Sequence, residues 1–297
     1  MIISASRRTD IPAFYASWFM NRIREGFCTV PNPFNRQQIS RISLLPAEVD
    51  AIIFWTRNPR PLFTYLEELD QRGYRYYFQF TLLDYPRLLD DKAPSLAASV
   101  ESFRRLSERI GPERIVWRYD PIVLSNQTSA DFHKRVFANI AGMLRGFTKR
   151  TMISVMDVYH KIQPRLRRLQ AHGLFVQEYH EELPKEVVEL LRSMAEVAAA
   201  NDLEIQSCAE EMDLRPCGIS PGRCIDGRLI ERLFGIQVDA LKDPTQREAC
   251  GCSISKDIGM YDTCLYGCQY CYATTSFDRA RLNHQAHDPE SSCLVGR

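Results

Sequence analysis

Ala51-Ile52-Ile53-Phe54-Trp55 is an apolar, β-branched and aromatic run that stops at the polar turn Thr56-Arg57-Asn58-Pro59. A run of this length and composition reads as a buried strand, and the helical pattern that follows, Leu62 to Arg72, reads as a crossover helix. The same unit repeats outward in both directions. Strands are expected at Ile2 to Ala5, Tyr74 to Thr81, Arg114 to Arg118, Thr151 to Val155 and Leu203 to Ser207. Helices are expected near Phe14 to Glu25, Ser95 to Ile110, Ala130 to Leu144 and Lys185 to Ala200. Ser95 and Ser129 stand where N-caps belong. Six βα units fit a doubly wound open sheet or an incomplete barrel, and the glycine-rich phosphate turn of the first is missing. The expected fold is therefore α/β: a partial (β/α)6 TIM-like barrel over residues 1–212, followed at 213–297 by a Cys-rich metal-binding appendage packed on the barrel mouth.

The 297 residues are 45% hydrophobic, enough to bury a large core. Lys plus Arg (38) balances Asp plus Glu (37), leaving a formal charge of +1. That balance gives no electrostatic reason to favour nucleic acid as a partner. The opening MIISASRRTDIPAFY lacks the apolar stretch of a signal peptide, and no apolar window is long enough to cross a bilayer, so a cytoplasmic, membrane-free protein is expected. Nine of the ten cysteines fall in the last third of the chain, Cys28 being the exception. In a reducing compartment, clustered thiols point to metal or catalysis before disulfides. No G-x-S-x-G, P-loop or H-E-x-x-H pattern supports a hydrolase or kinase.

Cys264-Leu265-Tyr266-Gly267-Cys268-Gln269-Tyr270-Cys271 is a C-x3-C-x2-C loop. Three thiolates at this spacing suit three irons of a [4Fe–4S] cubane and leave the fourth iron without a ligand from the motif. The loop, with Tyr270 just before its third cysteine, resembles the cluster loop of the radical S-adenosylmethionine superfamily. The resemblance implies that Cys264, Cys268 and Cys271 are ligands, that the open iron chelates S-adenosylmethionine, and that Tyr270 contacts its adenine. It also implies an enzyme that makes a 5′-deoxyadenosyl radical to act on an unknown substrate, with an electron donor such as flavodoxin or ferredoxin. In that superfamily the loop follows the first strand; here Ser6-Arg7-Arg8-Thr9-Asp10 holds that place and the loop follows all six βα units. The whole chain resembles the bacterial family of unknown function DUF1848, through Ser4 to Pro12, Phe54 to Pro59, Gln79 to Thr81, Trp117 to Pro121 and Cys250 to Ala273.

Cys208, Cys224, Cys250 and Cys252 form a second candidate metal group, for an auxiliary Fe–S cluster or a zinc ion, with Cys217 a substitute for any of them. Cys28 and Cys293 carry no expected role. Around the strand ends, Thr56 and Asn58 are candidates for the methionine end or ribose of the cofactor, Arg118 for its carboxylate, and Asp120 and Asp157 for ribose hydroxyls. Arg7 and Arg8 are expected either to meet an anionic group or to pair with Asp10, Asp120 or Glu210. Arg22, Arg24 and Arg165 to Arg168 read as solvated helix faces. A metal-stabilised binding protein or an electron-transfer protein, without radical chemistry, is the alternative reading.

Overall fold

The computed structural model describes residues 1–35, 37–179 and 183–296. The strands are β1 (Ile2–Ala5), β2 (Phe27–Pro31), β3 (Ile39–Ser43), β4 (Ala51–Thr56), β5 (Tyr76–Thr81), β6 (Ile115–Ile122), β7 (Arg150–Val155), β8 (Glu204–Ser207), β9 (Ser220–Pro221) and β10 (Lys256–Asp257). The helices are α1 (Ile11–Phe14), α2 (Ala16–Glu25), α3 (Arg60–Phe63), α4 (Leu66–Gln71), α5 (Leu96–Ile110), α6 (Ala130–Leu144), α7 (Gln163–Ala171), α8 (Lys185–Ala200), α9 (Gly227–Phe234) and α10 (Phe277–Gln285). Ser95 and Ser129 cap α5 and α6 as expected, accepting from the backbone N–H of Ala98 and Phe132.

Eight strands make one parallel sheet in the order β10-β1-β4-β5-β6-β7-β8-β9; β2 and β3 form a separate antiparallel hairpin. The main sheet is open. Its order follows the chain from β1 to β9 without the reversal that defines a doubly wound fold. Right-handed crossovers that always step the same way place their helices on one face. The packing agrees. Ile3, Phe54, Phe78, Trp117 and Ile153 share one core with Phe19, Leu69, Phe103, Phe137 and Leu190 from α2, α4, α5, α6 and α8. The alternate residues Ile2, Ile53, Tyr77, Val116 and Met152 face the other way and pack on Cys224, Ile225, Leu229 and Ile230. Each such fully buried side chain contributes about 1.5–3 kcal/mol.

The inner face is thus sealed by the segment that enters α9, not by a second layer of crossover helices. Tyr77 Oη and Gln79 Nε2 both donate to the carbonyl of Cys224, each at 2.7 Å. Asp226 caps α9 and pairs with Arg150 at 3.0 Å. The chain then returns as β10, where Asp257 accepts from Ser4 Oγ (2.9 Å), Ser6 Oγ (2.8 Å) and the N–H of Arg7 (2.9 Å). Gly259 makes this approach feasible: a Cβ there would lie 2.0 Å from Ser6 Oγ.

Two expectations about surface arginines fail. Arg22 is 4% exposed and donates to the carbonyl of Glu290 at 2.9 Å; Arg165 is 2% exposed and donates to the carbonyl of Cys271. Both helices are covered by C-terminal segments whose carbonyls take the guanidinium N–H groups, which a helical charge pattern cannot reveal. Arg24 remains on the surface, paired with Glu68. Among the described residues no helix is long and apolar enough to cross a membrane.

Candidate functional site

The C-terminal ends of the parallel strands open into a cavity of ≈ 450 Å³, the position at which parallel α/β sheets present functional groups. Cys264, Cys268 and Cys271 line it on one side; Cys208, Cys224, Cys250 and Cys252 line it on another. Among the described residues, the seven cysteines that line the cavity form no disulfide.

The 262–273 loop is closed by Asp262, whose N–H donates to the Ala273 carbonyl at 3.0 Å and whose carboxylate accepts from the N–H of Ser276 at 3.1 Å. It docks on the connection after β5 through Gln269 N–H to Leu89 O (2.9 Å) and Lys92 N–H to Tyr266 O (3.1 Å). Gly267, at φ 73°, makes the turn. Arg57, the second residue of the polar turn after β4, makes a bidentate pair with Asp90 at 2.8 and 2.6 Å and reaches Cys268 Sγ at 3.1 Å. Burial pushes the Cys264 thiol up to about 12, and burial together with Asp90 raises Cys268 well above its ordinary value. A metal taken up here would displace those protons, and Arg57 and Arg165 are the nearby cations that would offset the resulting negative charge.

The second group is tighter. Cys208 and Cys224 Sγ are 2.8 Å apart, Arg118 Nη1 donates to Cys224 Sγ at 2.7 Å, and the N–H of Ile225 donates to Cys252 Sγ at 3.4 Å. The hydrogen bond from Cys224 draws Cys208 down to about 7 against the effect of burial, and hydrogen bonds from Cys224 and Cys250 drive Cys252 far lower. Arg118 faces Cys208 and Arg7 faces Cys252, and each cation favours the thiolate beside it. Among the described residues no three His, Cys, Asp or Glu side chains are grouped so that they could hold one metal ion. A cubane does not demand such convergence, since each thiolate addresses a different iron. Cys217 lies apart in the helix-side core, Cys28 is buried on β2 of the hairpin, and Cys293 contacts Met260 Sδ at 3.7 Å.

The other sequence candidates divide. Thr56 lines the cavity, but its Oγ1 accepts the N–H of Asn58; Asn58 in turn accepts from Arg60 N–H and does not line the cavity. Arg118 is committed to Cys224 and to Asp120, and Asp120 also accepts from Ser154 Oγ. Asp157 sits at the rim, paired with Arg247. Tyr270 lines the cavity with its hydroxyl held by both oxygens of Asp90 at 2.8 and 2.9 Å and its ring edge-on to Tyr85. Arg8 pairs with Asp257 (4.0 Å) instead of the expected acids, and Glu210 accepts from the N–H of Val155.

Sequence reading missed Arg57, Asp90, Trp55, Tyr266 and Asp257. Arg57 and Trp55 stood in the polar turn already singled out, so their position after β4 was the available signal; Asp90 and Asp257 carried none.

A family model described as a domain of unknown function, DUF1848, matches residues 2–273, which include both cysteine groups. No curated protein and no solved structure matches the chain.

Proposed function

We propose that this chain, which belongs to the DUF1848 family, is a cytoplasmic radical S-adenosylmethionine enzyme with a [4Fe–4S] cluster on Cys264, Cys268 and Cys271. The observation that carries the reading is that the C-x3-C-x2-C thiols line a cavity at the strand ends, beside the buried cation Arg57. In this reading the open sheet serves as a partial barrel. Cys264, Cys268 and Cys271 would hold the cluster, which with S-adenosylmethionine would supply one-electron, radical-generating chemistry toward a substrate.

The protein's own part is charge and exclusion. Arg57 and Arg165 offset the charge of the thiolate loop, and the Asp90 clamp on Arg57 and Tyr270 fixes the loop against β4 and β5. Tyr266, Tyr272 and Tyr159 line the cavity, the last two with their rings in contact at 5.6 Å. Cys208, Cys224, Cys250 and Cys252 hold an auxiliary Fe–S cluster or, as the second choice, a zinc ion; four protein sulfurs leave it closed. That closed set also supports the other reading, a metal-stabilised binding or electron-transfer protein. An electron donor of the flavodoxin or ferredoxin kind completes the preferred scheme.

The deciding experiment is electron paramagnetic resonance of anaerobically reconstituted, dithionite-reduced protein, with and without S-adenosylmethionine. A [4Fe–4S]+ signal whose g-values move on adding the cofactor is expected. An unchanged signal, or zinc without iron, would reject radical chemistry in favour of the structural or electron-transfer role.

A further inference from the structure

Among the described residues five arginines line the cavity, and four of them have a carboxylate: Arg57 has Asp90, Arg118 has Asp120, Arg247 has Asp157, and Arg8 has Asp257. Arg7 is the fifth. Its nearest carboxylate, Asp257, takes the backbone N–H of Arg7, the hydroxyls of Ser4 and Ser6, the N–H of Gly259 and the Arg8 guanidinium. Among the described residues, Arg7 Nη2 is buried with no hydrogen-bond partner. So is Trp55 Nε1, on the ring that Arg7 and Arg118 flank at 5.8 and 4.7 Å from its centroid. A buried guanidinium N–H and a buried indole N–H left without acceptors side by side are costly, and an anionic acceptor would answer both.

We infer that Arg7 and Trp55 form a carboxylate-binding subsite between the two cysteine groups, and that the substrate is an organic monocarboxylate with an apolar or aromatic body. The word substrate rests on the proposed function; the subsite does not. The cavity wall supplies the body's surroundings, since Trp55, Met156, Tyr159 and Tyr272 line it. The position of Arg7 separates this anion from the cofactor's own carboxylate. The cation that touches the 264–271 thiols is Arg57, 3.1 Å from Cys268 Sγ, whereas Arg7 lies over Trp55, 5.8 Å from its ring centroid.

The test is binding of 4-fluorobenzoate, followed by fluorine NMR, to the full chain before and after anaerobic reconstitution, with 4-fluorobenzamide as the neutral analogue and inorganic phosphate as competitor. Benzoate should bind about tenfold more tightly than the amide, as expected for a charge-assisted contact, and phosphate should compete poorly. Arg7→Met should abolish the preference, Arg7→Lys should restore part of it, and Trp55→Phe should weaken benzoate several-fold with iron content unchanged. Equal binding of acid and amide, or no binding of either, overturns the subsite. Loss of iron in Arg7→Met with benzoate affinity intact would assign Arg7 to the thiolates alone and overturn it too. If S-adenosylmethionine displaces benzoate from the wild type, the carboxylate is the cofactor's and the substrate assignment falls. A paramagnetic signal indifferent to S-adenosylmethionine, with benzoate binding retained, would reject radical chemistry and leave the subsite standing.

Discussion

Arg57 and Asp90 meet in a buried bidentate pair, Nη1 to Oδ1 at 2.8 Å and Nη2 to Oδ2 at 2.6 Å, and the same guanidinium touches Cys268 Sγ at 3.1 Å. The pair ties the turn after β4 to the connection after β5 and to a loop more than two hundred residues downstream. Burial pushes the Asp90 carboxyl up, but Arg57 outweighs it and leaves the acid below its ordinary range.

Breaking one side of this pair strands a buried charge. Arg57→Met or Asp90→Leu alone should cost about 3–5 kcal/mol in urea unfolding, and both should lower iron uptake by the 264–271 loop. The double variant should be clearly less damaged than the sum of the two, because no lone charge remains. Strict additivity would contradict the clamp.

Iron analysis should separate the two cysteine groups. With both clusters loaded the chain should carry about eight irons, and Cys268→Ala or Cys252→Ala should each remove about four. Only Cys268→Ala should abolish the response of the paramagnetic signal to S-adenosylmethionine. If Cys252→Ala removes zinc and no iron, the second group is a zinc site.

His133 gives a pH dependence remote from the cysteines. It is fully buried, with Nδ1 against Tyr119 Oη at 2.8 Å and Nε2 against Val123 O at 3.0 Å, and burial pushes its pKa down to about 4. The unfolded imidazole titrates near roughly 6.5, so between those values the unfolded chain binds more protons than the folded one. The contribution is complete above about 6.5 and is lost as pH falls toward 4, about 3 kcal/mol in all. His133→Gln should flatten the slope of unfolding free energy against pH in that window by this amount. Equal slopes for the two proteins would show that the imidazole charges in the folded state.

Gly259→Ala should push β10 away from β1, since the new Cβ would meet Ser6 Oγ at 2.0 Å and Ser6 Cβ at 2.6 Å. A destabilisation of about 1–3 kcal/mol is expected from thermal unfolding. Adding Ser6→Gly should recover most of it by removing the clashing atoms, less the bond from Ser6 Oγ to Asp257. A double variant no better than Gly259→Ala would place the strain elsewhere.

The six expected strands and their helices were legible because the central parallel strands β1, β4, β5, β6 and β7 are buried almost throughout and end in polar loops, so their boundaries are written in composition. The cysteine groups were legible as well: thiols cluster along the chain, and the fold places both expected sets at one cavity. The hairpin β2–β3 and the two-residue strands β9 and β10 were not, being too short or too mixed for periodicity to register. Arg118, read as a candidate contact for the cofactor's carboxylate, lines the cavity and bonds to Cys224 and Asp120; residue type fixes what a group can bind, and the fold chooses its neighbours.

The sequence by itself determined the parallel α/β framework, the cysteine groups and the polar strand ends, because these follow from local hydrophobic pattern and spacing. Tertiary structure alone decided that the winding is single, that Arg22 and Arg165 are buried, that Asp90 clamps Arg57, and that, among the described residues, Arg7 Nη2 is left without a hydrogen-bond partner. Those facts depend on which distant groups share a low-dielectric space, and hydrogen bonds and charges are matched there by proximity in three dimensions, which chain order does not encode.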